Sequence, residues 1–343
     1  MYVKKNESER YCLMLSHNTR LILDKRQFVV LSLTLLSITL LLNLENTFFT
    51  IFAIDNNDDK SQSKDFNLVV ASDFNCKNDA QKTIDNMIDE KPELILALGD
   101  LSNQKSGSCW IDMFPKKYLD NVKVSMGFNE VKSSLGGPKQ VKKYLKTFGL
   151  DKQYYSFDYN NVHFLALATE IPNDEKSKQY KFVKNDLQKT SQDKDIDWII
   201  VYGYRNFYSS DSKHDGNGGL QSAYHPLFDK YGVDIVLSGH NHNYQRTFPI
   251  EYNDDKRDKP TVTEREKKSY DARDKKNPIF ITVGTGGAGL YPLHAKADYV
   301  VTQIKAHGFL EIEFTEDTFG QILKGNFHKN SGNEIVDSFI LFK

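Results

Sequence analysis

The chain lacks an excess of charge of either sign: 45 Lys and Arg stand against 46 Asp and Glu in 343 residues, a formal net charge of −1 with a pI near 6.8. Without a global positive field nothing is present to hold a phosphate backbone, and nucleic acid is excluded as a partner. Cysteine is scarce. Cys12, Cys76 and Cys109 are the three in the sequence, so the fold must rest on a hydrophobic core, which a chain of this length can bury. The glycine-rich stretch Gly284-Thr285-Gly286-Gly287-Ala288-Gly289 lacks the Lys-Ser/Thr of a P-loop and no helical pattern follows it, so it reads as a tight turn. Long apolar runs are missing as well, with one exception.

That exception covers residues 28–44, and Lys4, Lys5, Arg10, Arg20, Lys25 and Arg26 precede it. The order is a membrane-insertion signal: residues 1–27 form a basic cytoplasmic N-terminus, and the chain beyond the run crosses. The run has no polar face, which excludes a soluble helix. It falls between a signal-peptide core and a comfortable span of roughly 20 residues. The long basic flank and the want of a clean small-x-small cleavage site favour an uncleaved signal anchor over residues 28–54; secretion after cleavage at Ala53 is the alternative. Residues 55–65, DNNDDKSQSKD, hold no apolar residue and read as a flexible linker. The expectation is a single-pass membrane protein whose C-terminal domain, residues 66–343, lies outside the cytoplasm. Cys76 and Cys109 fall in that domain, where a disulfide persists, and are expected to pair; two free buried thiols are the other outcome.

In the exported domain, short apolar runs at 68–72, 94–98, 122–126, 162–169, 198–202, 233–237, 279–283 and 309–314 read as covered strands. A helix is expected over 79–90, with Ile84, Met87 and Ile88 at helical spacing, Asn78 or Asp79 as cap and Pro92 as stop. Further helices are expected at 179–187 and 224–231. Residues 252–276, nearly all polar and charged, read as a solvated loop. The class is α/β with two packed sheets, in which ligands bind beyond the carboxyl ends of strands.

Several strand ends carry chemistry. The first closes on Ser72-Asp73-Phe74-Asn75, the second on Gly99-Asp100-Leu101-Ser102, and the apolar run at 233–237 leads into Gly239-His240-Asn241-His242. Alone, each aspartate is commonly a loop cap and each histidine a polar loop residue. Together they form a mixed carboxylate and imidazole set that suits Zn, Mn or Fe.

In this order and setting the chain resembles the calcineurin-like metallophosphoesterases, most closely the purple acid phosphatase branch, whose motifs run D-x-G, G-D-x-x-Y, G-N-H-D/E, V-x-x-H and G-H-x-H. The corresponding positions read Asp73-Phe74-Asn75, Gly99-Asp100-Leu101-Ser102-Asn103, Gly127-Phe128-Asn129-Glu130, Val201-Tyr202-Gly203-Tyr204 and Gly239-His240-Asn241-His242. The resemblance implies a two-sheet sandwich flanked by helices, with one or two divalent or trivalent metal ions at one edge. It places Asp73, Asp100 and His242 on the first metal, and Asp100, as bridge, and His240 on the second. It further implies hydrolysis of phosphate monoesters by a metal-bound water, with Asp100 and Asn129 in the reaction centre. The departures fall on the chemistry. Asn103 stands where the family has its iron-binding tyrosine, Phe128 and Tyr204 replace second-metal ligands, and Asn129 replaces a histidine, although an amide is no general acid near neutral pH. An enzyme would need substitute ligands such as Tyr204, Asn75, Asn129 or Glu130. Two readings result: a membrane-anchored phosphoesterase with a degraded second site, or an inactive relative that binds a phosphate-containing ligand or a partner at the cell surface.

Overall fold

The structure is a computed structural model that describes residues 3–5, 10–16, 19–24, 65–132, 136–273 and 277–343. The chain divides into two units, Met1–Ser63 and Lys64–Lys343. In the first, strands β1 (Val3–Lys5), β2 (Arg10–Ser16) and β3 (Thr19–Asp24) form an antiparallel sheet in that order. The anchor expected at residues 28–54 and the linker up to residue 64 lie outside the described residues. Among the described residues no helix is long and apolar enough to cross a membrane.

The second unit holds two mixed sheets. One contains β4 (Phe66–Ala71), β5 (Leu94–Ala97), β6 (Val122–Val124), β13 (Ser269–Asp271), β16 (Gly308–Asp317), β17 (Gly320–Lys329) and β18 (Glu334–Phe342), in the order β13-β18-β17-β16-β4-β5-β6. The other runs β12-β11-β14-β10-β9-β8-β7, with β15 (Val300–Ile304) also paired to β11; its members are β7 (Tyr155–Tyr159), β8 (Val162–Ala166), β9 (Trp198–Tyr202), β10 (Ile235–Ser238), β11 (Tyr244–Glu251), β12 (Thr261–Val262) and β14 (Ile279–Val283). Within these sheets β4-β5-β6 and β8-β9-β10-β14 are parallel.

Alternation along the strands explains why they appear in the sequence as continuous apolar runs. Leu68 and Val70 of β4 face the inter-sheet core with Trp198, Ile200 and Tyr202 of β9, whereas Val69 and Ala71 face a second core with Ile84 and Met87. Ile199 and Val201 of β9 turn to a third core, against Val183, Leu187, Tyr224 and Phe228. Every central strand is thus covered on both faces. The outer layers come from helices α1 (Asn78–Asp89), α2 (Ser108–Ile111), α3 (Phe128–Val131), α4 (Gly137–Thr147), α5 (Lys178–Thr190) and α6 (Gly218–Tyr231).

Two expectations need correction. Helix α1 begins at Asn78 with Lys77 in the cap position and no capping side chain, so neither Asn78 nor Asp79 serves as cap. The stretch 252–276 is not wholly solvated: β12 and β13 lie in it, and Tyr270 is buried, with its hydroxyl accepting from Arg246 Nη1 at 2.8 Å. Buried Arg246 of β11 also binds Asp337 of β18 twice, Nε to Oδ2 at 2.7 Å and Nη2 to Oδ1 at 2.9 Å, which ties the two sheets together.

Candidate functional site

The loops that leave β4 and β5 continue to pair after the strands end. Asp73 N–H donates to Gly99 O at 3.1 Å, Phe74 N–H to Asp100 O at 3.0 Å and Asn75 N–H to Leu101 O at 3.2 Å, which brings both aspartates to one edge. Asp73, Asp100, Asn103 and His240 hold positive φ, at 56°, 47°, 53° and 68°. Such strained non-glycine residues persist only where surrounding structure over-determines them, commonly at functional sites.

Two glycines let the pieces close. A Cβ on Gly239 would lie 1.7 Å from Ser72 Oγ and 2.8 Å from Asp73 Oδ2; one on Gly127 would lie 2.4 Å from Asp100 Oδ1. Glu130 locks the β5 loop from behind. Fully buried, it accepts from the N–H groups of Asp100 (2.8 Å), Leu101 (2.9 Å) and Gly127 (2.9 Å), and burial pushes its carboxyl up to about 7 against those bonds. Glu130 as a substitute metal ligand is therefore corrected: its oxygens face backbone amides. Asn75 is corrected likewise, since its Nδ2 donates to Gly287 O at 2.8 Å and its Oδ1 accepts from Lys77 N–H at 2.8 Å.

Asp100 is fully engaged. Its Oδ1 accepts from Asn129 N–H at 2.8 Å, and its Oδ2 from Asn129 Nδ2 and from the Tyr204 hydroxyl, both at 2.7 Å. Burial first, then the charges of Glu130 and Asp73, hold its carboxyl well above the usual range. Asn129 Nδ2 also bonds Asn103 Oδ1. Tyr204 is 2% exposed and burial, reinforced by Asp73 and Asp100, drives its phenol far above the ordinary value. Its hydroxyl is committed as a donor to Asp100 Oδ2.

The histidines divide. His240 N–H donates to Asp73 Oδ2 at 2.7 Å, its Nδ1 meets the Tyr204 hydroxyl at 3.0 Å, and its Nε2 faces Arg205 Nη1 at 3.5 Å. Because the phenol proton goes to Asp100, Nδ1 carries the hydrogen and Nε2 accepts from arginine. Burial, then His214 nearby, presses the His240 pKa down to about 4. His242 Nδ1 bonds Gly289 O at 2.7 Å, so the glycine-rich turn does lie beside the site; its Nε2 stands 3.4 Å from Asp73 Oδ1. Burial would lower the His242 pKa, but Asp73 outweighs it and the net shift is upward. Asp73 Oδ1 is buried and accepts no hydrogen bond.

Asp100, Asn129, Tyr204, His240 and His242 line a cleft of about 370 Å³, together with Arg205, His214, Tyr291 and Phe128. A larger cavity, about 710 Å³ and bordered by Asp258 and Tyr299, contains none of the strand-tip residues. Arg205, His214 and Tyr291 were not anticipated. Arg205 pairs with Glu170, Nε to Oε1 at 2.6 Å and Nη2 to Oε2 at 3.0 Å, and lies over the Phe128 ring at 5.9 Å. His214 stacks on His240 with centroids 4.0 Å apart, and Tyr291 on His242 at 3.9 Å. Arg205 follows the motif position Tyr204 directly and was open to suspicion; His214 and Tyr291 sit in loops without periodicity.

These residues do not fit the two metals that the resemblance implies. At the second position, Phe128 offers no donor, and the Tyr204 hydroxyl occupies the Asp100 oxygen a bridge would use. The Arg205 guanidinium already faces His240 Nε2, where a second cation would be repelled. At the first, Asp73 Oδ1 and His242 Nε2 remain, while the Asp100 oxygens are taken. Among the described residues no group of three or more His, Cys, Asp or Glu is arranged to hold a metal ion.

Residues 66–244 match the family model described as calcineurin-like phosphoesterase. Purple acid phosphatase 15 of Arabidopsis thaliana is 26% identical over 257 residues, 64% of this chain and 44% of that protein. A protein named probable inactive purple acid phosphatase 1, from the same plant, is 29% identical over 216 residues, 61% of this chain and 33% of its own length. The chain therefore spans less than half of either relative. Among solved structures, purple acid phosphatase PPD1 from yellow lupin (Lupinus luteus) seeds superimposes with a TM-score of 0.66 at 23% identity, over 82% of this chain and 54% of the lupin chain, a likeness of fold.

Proposed function

The chain belongs to the calcineurin-like phosphoesterases, in their purple acid phosphatase-like branch, and from that premise we propose that its cleft binds a phosphate-bearing ligand without two-metal hydrolysis. The observation that carries this reading is the Tyr204 hydroxyl on Asp100 Oδ2 with Arg205 against His240 Nε2. Family chemistry rests on two metals that acidify a water and clamp the phosphate. Here a phenol and a guanidinium stand in that region, and a guanidinium suits a phosphate directly. Arg205 is the fixed cation, oriented by Glu170. His242 Nε2 stands 3.4 Å from Asp73 Oδ1, and Asn129 keeps its amide on Asp100 at the cleft wall. The Asp100 carboxyl, capped by three donors from Asn129 and Tyr204, presents less of its charge to an entering anion than a bare carboxylate would. The name of one relative, probable inactive purple acid phosphatase 1, accords with a non-hydrolytic member.

One observation favours the hydrolytic alternative. Asp73 Oδ1, buried without a hydrogen bond and 3.4 Å from His242 Nε2, is an oxygen that a single metal could use, and the relative named purple acid phosphatase 15 fits that case. The test is a chromogenic phosphate monoester with Mn²⁺, Zn²⁺ or Fe, alongside phosphate binding by calorimetry. We expect no metal-dependent turnover, and binding that Arg205→Gln weakens about tenfold to a hundredfold, the range for one hydrogen bond to a charged group. Robust turnover by the native chain overturns the reading. The triple variant Phe128→Asn, Asn129→His, Tyr204→His should gain metal binding that the native protein lacks.

The domain of residues 66–343 is proposed to be exported and held by the apolar run at 28–44 as a single-pass anchor. The basic flank before the run supports the orientation. The disulfide between Cys76 and Cys109, with Cα atoms 5.9 Å apart, supports an oxidising compartment.

A further inference from the structure

Of the residues that line the cleft, Phe128 alone carries no polar side-chain atom, and it is 40% exposed. A ring that only filled the space of a lost metal ligand would be buried. The main chain on both sides of it is tied down: Gly127 N–H donates to Glu130 Oε2 at 2.9 Å, Asn129 N–H to Asp100 Oδ1 at 2.8 Å and Lys132 N–H to Phe128 O at 2.9 Å. The first turn of α3 therefore holds an open hydrocarbon ring at a cleft that is otherwise polar.

Two cations accompany the ring. Arg205 Cζ lies 5.9 Å and Lys132 Nζ 5.0 Å from its centroid, within the range in which a ring face attracts positive charge. Glu170 takes Nε and Nη2 of Arg205, which leaves Nη1, 3.5 Å from His240 Nε2. A phosphate oxygen makes a shorter bond to a guanidinium, about 2.7–2.9 Å, so Nη1 is the donor free to receive one. A phosphate held there lies beside Phe128. The other aromatic side chain of the cleft that could meet the esterified group, Tyr291, is already engaged, stacked on His242 at 3.9 Å and edge-on to His214 at 5.6 Å.

We propose that Phe128 selects the ligand: its exposed ring stacks on a planar aromatic group joined to the phosphate that Arg205 holds, so the cleft takes an aromatic phosphate ester in preference to an aliphatic one. The inference rests on the phosphate reading of the cleft. An aliphatic alcohol gains only the area it buries against the ring, whereas an aromatic group adds the attraction between offset ring quadrupoles. The donors around the ring serve water as well as they serve a hydroxyl, so they give an aliphatic ester little advantage. A position that holds a metal ligand elsewhere in the family here reads the organic half of the ligand.

Calorimetry on the full chain, in chelator, tests this with phenyl phosphate and adenosine 5′-monophosphate against glycerol 3-phosphate and inorganic phosphate. We expect at least one aromatic ester to bind about five- to a hundredfold more tightly than glycerol 3-phosphate, the range for a base stacked on an aromatic side chain. A preference for phenyl phosphate alone places the ring one ester bond from the phosphate, and a preference for the nucleotide alone places it beyond the ribose. Phe128→Leu should bring the ratio of aromatic to aliphatic affinity to about one, and Phe128→Trp should keep it; equal thermal melts confirm the fold of both. Equal affinity of the native protein for aromatic and aliphatic esters, or a preference that survives Phe128→Leu, overturns the proposal and leaves the phosphate reading standing. Binding of none of the four phosphates overturns that reading, and this inference with it.

Discussion

If Tyr204 replaces a metal by a hydrogen bond, removing its hydroxyl alone should cost stability in metal-free buffer. In Tyr204→Phe the ring still fills the site, which is 2% exposed, while Asp100 Oδ2 and His240 Nδ1 lose partners at 2.7 Å and 3.0 Å. A buried polar group left without its partner costs about 1–3 kcal/mol. Asp100 keeps two bonds from Asn129 and the open cleft admits water, so the net loss should fall near 2 kcal/mol. For a domain of this size each kcal/mol shifts Tm by about 2–4 °C, a drop of roughly 4–8 °C. Thermal unfolding by circular dichroism, with chelator and then with Zn²⁺ or Mn²⁺, provides the assay. The native protein should melt at the same temperature in both, because a ligand that binds the folded state must raise Tm. An unchanged Tm for Tyr204→Phe in chelator, or a metal-induced rise in the native protein, would refute the reasoning.

Other parts of the structure make separate predictions. Arg246→Met strips both guanidinium bonds from the partly buried Asp337 carboxylate, which keeps only the Tyr244 hydroxyl at 2.8 Å; chemical denaturation should report a loss of about 3 kcal/mol, the low end for a broken buried ion pair. Replacing Cys76 and Cys109 by alanine removes a cross-link over 33 residues. Chain entropy puts the loss at about 3–4 kcal/mol, and a reducing agent should lower Tm of the native protein but not of the variant. Burial would lower the His163 pKa, yet Asp186 and Asp158, at 2.9 Å and 2.6 Å, raise it above its ordinary value of 6.5. A raised folded-state value means that stability is fully present below 6.5 and is lost as pH rises through the folded pKa. The unfolding free energy of His163→Asn relative to native should therefore converge with increasing pH, and a constant difference from pH 5 to 9 would contradict the assignment.

Much of the fold was legible because strands covered on both faces leave no polar alternation to blur them: 68–72, 94–98 and 198–202 stand out and correspond to β4, β5 and β9. The edge of the site was legible for the same reason, since Asp73, Asp100, His240 and His242 come directly after such runs. What the sequence hid was the direction in which side chains turn. Glu130 looks like a spare carboxylate until the fold shows three amides converging on it, and Asn75 looks like a donor until both ends of its amide meet backbone. Arg205, His214 and Tyr291 carry no periodic signal, because loops owe their shape to what they pack against. Tyr270 was lost in a charged stretch for a similar reason: its partner Arg246 lies on a distant strand. The masking of Asp100 by Tyr204 and Asn129 is a tertiary fact, one that the substitutions hinted at without fixing its geometry.

On the proposed reading, protein groups and not metal ions complete the environment of Asp100. Metal per chain, measured by inductively coupled plasma mass spectrometry on full-length protein purified without chelator and then dialysed against Zn²⁺, Mn²⁺ or Fe, tests it most directly. We expect well under one ion per chain and no change on Asp100→Asn, whereas two ions per chain, lost in that variant, would show that metal completes the site.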